Sequence, residues 1–301
     1  MPALRHPVRW QWMVLLAIVA ACAAADNMNS KRQPCLDLLV REMRENPGWL
    51  RIHAAEALLD HHEAAVVEPS FARETEAGAG TYRTGVWRVM GRVATTDVAR
   101  QDFIERIRKV MLDSTASDRL QAVESLCKLN AANPADQGAV QKWLQSADDA
   151  TAAFPCWFLA LSSIATQRAA AEERLAKLLD SSDAVARIRA ACAVGRLGLV
   201  SPKTLERLNQ RLQVEPPDSL ARVYVIIAAL QHAKEEATIS RLSRLLIPFA
   251  THGHPAEQLA AAAALGQFGR AADLQILSPL LNHAEADARI GAANGSLYLL
   301  R

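Results

Sequence analysis

The chain has 301 residues, 50% hydrophobic, 5% aromatic and 22% charged, with 34 Lys+Arg against 32 Asp+Glu and a formal charge of +2. So even a balance excludes a strongly basic nucleic-acid-binding surface, whose affinity depends on cations displacing counterions from phosphates. The length suffices for one large core or for an array of repeats.

The first segment has the order of an export signal. Arg5, His6 and Arg9 give a basic start, and Trp12 to Ala21 give an apolar run of ten residues. A membrane-spanning helix needs about 20. Ala23-Ala24-Ala25 before Asp26 offers an A-x-A site for ordinary cleavage. Val19-Ala20-Ala21-Cys22 resembles the lipobox of bacterial lipoproteins, and that resemblance implies a diacylglycerol on the Cys22 sulfur with cleavage just before it. The expectation is a signal peptide over 1–21 and Cys22 as the lipidated N-terminus, with plain cleavage at Asp26 as the alternative. The polar run after it reads as a flexible tether over 22–34, closed by Pro34. A lipid there would hold the body at a bilayer without spanning it. Removing residues 1–21 takes away Arg5 and Arg9 and no acid, so 32 basic residues face 32 acidic ones.

From residue 35 onward the sequence repeats itself. "LRIHAAEALL" (50–59), "DRLQAVESLC" (118–127), "ARIRAACAVG" (186–195), "ARVYVIIAAL" (221–230), "EQLAAAAALG" (257–266) and "ARIGAANGSL" (288–297) share one pattern. "YRTGVWRVMG" (82–91) and the weaker "AFPCWFLALS" (153–162) fall in the same frame. Anchored on the second residue, they give Arg51, Arg83, Arg119, Phe154, Arg187, Arg222, Gln258 and Arg289, at intervals of 32, 36, 35, 33, 35, 36 and 31 residues. Between them lie helices with leucine at spacings of three and four, such as "DFIERIRKVML" (102–112) and "TLERLNQRL" (204–212). No run of alternating β-branched residues appears, so the fold class is all-α. Asp118, Asp183 and Asp218 stand where helix N-caps are expected, and Gly198 and Gly269 where helices end. Departures occur at 64–81, a short helix with a Gly-rich loop, and at 131–157, with Pro134 and Pro155.

"DAVARIRAACAVGRLG" (183–198), "AEQLAAAAALGQFG" (256–269) and "ADARIGAANGSL" (286–297) resemble the HEAT repeat, and more closely the short HEAT-like repeat also found in phycobilin lyases. The resemblance covers 35–301, looser over 35–170 and regular over 171–301. It implies a right-handed α-α superhelix, a HEAT-like solenoid of about eight helix pairs, in which the second helix of each pair lines the concave side. It is nearly silent on function, because such folds serve scaffolds, adaptors and a few enzymes.

Residues two, five and nine beyond each anchor should face that concavity. The first unit offers His53, Glu56 and Asp60, the second Arg88 and Arg92, the third Glu124 and Lys128, with Tyr82 close by in sequence. The later units offer mainly small or neutral residues, with Arg189 and Arg196 as exceptions. These charges fit a partner-binding groove and equally fit a solvated, salt-linked face. The chain's last stripe, Leu297, Leu299 and Leu300, is expected to pack inward.

Candidate chemistry is sparse. His53 with Glu56, the pair His61 and His62, and His252 with His254 lack established metal-ligand spacing, and no metal or other cofactor is expected. There is no G-x-S-x-G and no Gly-rich phosphate loop after a strand. Cys35, Cys127, Cys156 and Cys192 sit in apolar helical patterns and read as free, buried thiols. The expectation is a non-catalytic scaffold or adaptor on the periplasmic side of a bacterial envelope, binding a protein partner or extended ligand rather than a small molecule or nucleic acid. The alternative is an exported hydrolase or lyase using carboxylates and arginines of the N-terminal groove.

Overall fold

The computed structural model describes residues 30–72, 74 and 80–301, and among them there are helices and turns but no strand. The expected signal peptide, Cys22 and the first part of the tether lie outside the described residues. The chain is already helical at residue 30, so 30–34, expected as tether, belong to helix α1 (30–45). The N–H that Pro34 lacks is the one that would meet the carbonyl of Ser30, the first described residue of this helix.

The helices come in pairs. The first pair is α1 with α2 (Gly48–Asp60), followed by α3 (Ala64–Phe71) with α4 (Arg83–Val93) and α5 (Asp97–Leu112) with α6 (Arg119–Lys128). Next come α7 (Gln137–Ser146) with α8 (Asp149–Ala160), α9 (Ala165–Leu178) with α10 (Ala184–Arg196), and α11 (Pro202–Val214) with α12 (Leu220–His232). In the last two pairs the first helix is broken. Helix α13 (Glu236–Arg244) gives way to α14 (Ile247–His252) before α15 (Pro255–Phe268), and α16 (Leu274–Leu277) runs into a 3-10 turn, Ser278–Asn282, before α17 (Ala286–Leu299). Pro248 and Pro279 stand at the two breaks, where a missing N–H and a rigid ring interrupt the helical ladder.

Helices α2, α4, α6, α8, α10, α12, α15 and α17 each pack on the next, and α17 packs back on α2. The second helices of the pairs therefore form a closed inner ring, and the others pack outside it. The sequence leads to a right-handed superhelix with a concave side; in the structure the two ends of the array meet. Glu42 of α1 is 2% exposed and accepts two hydrogen bonds from Arg289 of α17, at 2.6 and 2.9 Å. His61 is hydrogen-bonded to Asn294 at 2.9 Å, and Arg301 donates to the Asp60 carbonyl at 2.8 Å. Leu297 and Leu300 are buried, Leu299 is half-buried, and Ile290, Ala293 and Leu297 share a core with Leu39, Met43, Ile52 and Leu58. The C-terminal stripe packs inward, Leu297 against the first unit of its own chain and Leu299 against the core of the later units.

The helix starts follow local chemistry, though not always as the spacing predicts. Asp183 caps α10 by accepting from the Val185 N–H at 2.8 Å. Ser219, not Asp218, caps α12. Asp118 stands at the cap position of α6, but its carboxylate receives Arg83 at 2.8 and 2.9 Å instead. Gly269 ends α15 in an extended conformation, and Gly198 lies one residue past the end of α10 at Leu197.

Alanine-rich middles let the inner helices approach closely, most of all where Gly266 faces Gly295. A methyl group added at Gly266 would overlap the Gly295 backbone, whereas one at Gly138 of α7 meets nothing. Gly266→Ala should therefore lower stability by about 1–3 kcal/mol in urea unfolding, despite the better helix propensity of alanine. Gly138→Ala in the same assay should lose nothing.

Candidate functional site

The ring encloses a cavity of about 800 Å³. Its wall is built from the positions that the repeat spacing points inward. Five residues beyond the anchors stand Glu56, Cys192, Ile227, Ala263 and Asn294, all on the wall. Nine beyond stand Asp60, Lys128, Arg196, Gln231, Gln267 and Tyr298, also on the wall. Trp157 and Leu161 of α8 and its end complete it, and His53, Tyr224 and Ala260 come from two residues beyond their anchors.

The structure brings most of the expected residues together but gives them different roles. His53, Glu56, Asp60 and Lys128 line the cavity. Arg88 does not open into it: the side chain is 1% exposed and lies between helices, donating from Nε to Glu56 Oε1 at 2.6 Å and from Nη1 to Ser125 Oγ at 2.8 Å. Arg92 donates to Asp60 at 2.7 Å, and the Lys128 ammonium lies 2.7 Å from Glu124. Tyr82 ends the 3-10 turn before α4, packs half-buried against the N-terminal core, and lies apart from the cavity. His61 belongs to the seam between α2 and α17, stacked edge-on against Tyr298 at 4.8 Å. Arg189 faces the neighbouring unit, donating to the Ala150 carbonyl at 2.6 Å.

The electrostatics follow from this pairing. Burial alone would raise the Glu56 carboxyl, but Arg88 and then Lys128 outweigh it and hold the group well below the usual carboxylate range. Glu124 is lowered against burial in the same way by Lys128 and Arg88. Burial likewise opposes the charge on Arg88, yet Glu56 and Glu124 raise it overall. His53 is lowered by burial, so it is neutral, and its Nδ1 is buried without a partner. Burial pushes Tyr224 up to about 12 and raises Cys127 far above the ordinary thiol range. Cys35, Cys127, Cys156 and Cys192 are free thiols, the first three buried.

Arg196 is the residue that the emphasis on the N-terminal units undervalues. Its side chain is exposed into the cavity. Cys192 stands one turn earlier on the same helix, and Glu56 and Glu124 are close enough to favour the charge on Arg196. Among the described residues, no carboxylate lies within ion-pair distance of it. The signal that finds it is positional: Arg196 occupies the same place in its unit as Asp60, Arg92 and Lys128.

Among the described residues, no group of three or more His, Cys, Asp or Glu is placed to hold a metal ion. The chain matches none of the protein families and none of the curated proteins with which it was compared.

Arg88→Ala leaves the half-buried Glu56 without its strongest partner and should lower stability by about 3 kcal/mol in chemical denaturation, the lower end of the range for breaking a buried pair. Because the folded carboxyls of Glu56 and Glu124 lie below their unfolded values, their contribution is complete above roughly pH 4.3 and is lost as acid protonates them. Stability measured from pH 5 down to pH 2 should fall less steeply in Glu56→Gln than in the unaltered chain.

Proposed function

We propose that this chain is a non-catalytic binding module that takes a short extended segment of a partner protein into the cavity of its helix ring, and that a lipid on Cys22 holds it at the periplasmic face of a bacterial envelope. The observation that carries the binding reading is the cavity itself. A volume of about 800 Å³ falls within the roughly 300–1,000 Å³ typical of ligand sites. Its wall mixes apolar surface from Ile227, Ala263 and Leu161 with side-chain donors and acceptors from Gln231, Gln267, Asn294 and Tyr298. That combination suits a peptide, which needs apolar contact for side chains and hydrogen-bond partners for its backbone.

The ionisable groups on and behind the wall favour binding over catalysis. General acids and bases work best with pKa values near neutrality, whereas here Glu56 is driven down and Cys127 and Tyr224 are driven up. The likeness of 183–198, 256–269 and 286–297 to HEAT-like repeats agrees with a module whose role is recognition. The envelope placement rests on the sequence around Cys22, since no helix among the described residues is long and apolar enough to cross a membrane.

Photocrosslinking tests the binding reading. A benzophenone amino acid at position 227, on the cavity wall, should give an adduct in cells whose crosslinked fragment maps to one short segment of a partner. The same probe at Gln210, on the exposed side of α11, should not. Ala263→Trp, which narrows the cavity, should weaken the adduct while leaving the helical content unchanged. Adducts from position 210 alone would overturn the proposal. For the tether, Cys22→Ala should move the protein from the detergent phase to the aqueous phase in a phase-partitioning assay.

A further inference from the structure

Around the first three inner helices the charges are matched one to one. Glu56 takes Arg88, Asp60 takes Arg92, and Glu124 takes Lys128. Arg196 comes from the opposite half of the array and adds a fourth cation to these three carboxylates and three cations. Among the described residues, Arg196 is the lysine or arginine of the cavity wall that no carboxylate pairs. That charge projects from an exposed side chain into the cavity, whose low-dielectric walls focus its field.

A guanidinium in such a place is satisfied best by a planar anion that accepts two parallel hydrogen bonds. The neutral groups of the wall do not compete for that role. Cys192 is a neighbour on its own helix, Gln231 offers a neutral amide, and His232 is engaged with the Val194 carbonyl at 2.9 Å. The carboxylates that could neutralise Arg196 are held by Arg88 and Lys128, so releasing either would leave another buried cation unpaired.

We infer that Arg196 is the anchor of an anion subsite in the central cavity, and that the segment bound there is an acidic peptide whose carboxylate pairs with its guanidinium. This deepens the binding reading above, yet its electrostatic core can be tested without any partner.

Cys192 is a built-in reporter, being the least buried of the four described thiols and one turn from Arg196. The full chain is treated with iodoacetate, which is anionic, or with iodoacetamide, which is neutral, and the alkylation of Cys192 is followed by peptide mass mapping. With Arg196 present, the rate ratio of iodoacetate to iodoacetamide should exceed that of Arg196→Gln by about fivefold, the scale expected for one partly screened charge at close range. Arg196→Lys should retain most of the preference, which separates charge from a general change in packing. Millimolar acetyl-Ala-Glu-Ala-amide should slow the alkylation, acetyl-Ala-Gln-Ala-amide should not, and Arg196→Gln should abolish the difference.

Equal ratios in the unaltered chain and in Arg196→Gln would overturn the subsite. Protection by inorganic phosphate that exceeds protection by the glutamate peptide would overturn the carboxylate assignment. Reagent selectivity that persists when Ala263→Trp fails to affect the crosslink would sink the partner-segment reading and leave the subsite standing.

Discussion

An arginine at the head of an inner helix is the interaction on which this architecture depends. Arg187 donates to the Ser181 and Ser182 carbonyls of the turn before its own helix and grips Glu215 of the next unit through two bonds at 2.9 Å. Arg222 donates to the Leu212 and Glu215 carbonyls, and Arg119 to the carbonyl of Met111 while lying 4.0 Å over the Trp143 ring. Arg289 uses the His283 and Ala284 carbonyls in the same way, and its acid is Glu42 of the first helix. These contacts satisfy carbonyls at the ends and turns of the preceding helices, and through Glu215, Trp143 and Glu42 those of Arg187, Arg119 and Arg289 also fix one pair against the next. The last unit thus treats the first as its successor, with the chemistry that joins units elsewhere.

Closure changes what the inner surface is. In an open array the charges at Glu56, Arg88, Glu124 and Lys128 would face water, and such pairs contribute little. Inside a ring they stand in a medium where each unpaired charge is expensive, so they tie one another in fixed positions. Arg88 becomes a structural residue, Asp60 and Glu56 are occupied, and the ionic character left to the cavity comes from Arg196.

Much of this was legible in the chain. The period of about 34 residues, the two kinds of helix and the inward-facing columns follow from helical geometry applied to one repeat after another. Those columns predict cavity residues as far apart as His53 and Tyr298. The closure was not legible, because the angle between successive pairs accumulates from side-chain packing that no single unit displays. The pairing of Glu42 with Arg289 joins residues 247 positions apart, beyond the reach of any local pattern. For the same reason the sequence placed emphasis on Arg88, whose burial depends on helices on both sides of it, and passed lightly over Arg196, whose setting depends on Glu56 and Glu124 arriving from the other half. Residues 30–34 read as tether because they carry no apolar stripe, yet they continue a helix whose stripe starts at Cys35.

The seam has a consequence for how such a chain can change over generations. Open arrays lengthen or shorten by duplicating or deleting units, since a new unit needs only to fit its neighbours. Here an added pair would force Arg289 away from Glu42 and Asn294 away from His61, exposing the core shared by α1, α2 and α17. The number of units is thereby frozen, and diversification is channelled into substitutions on the wall rather than into the copy number of the repeat.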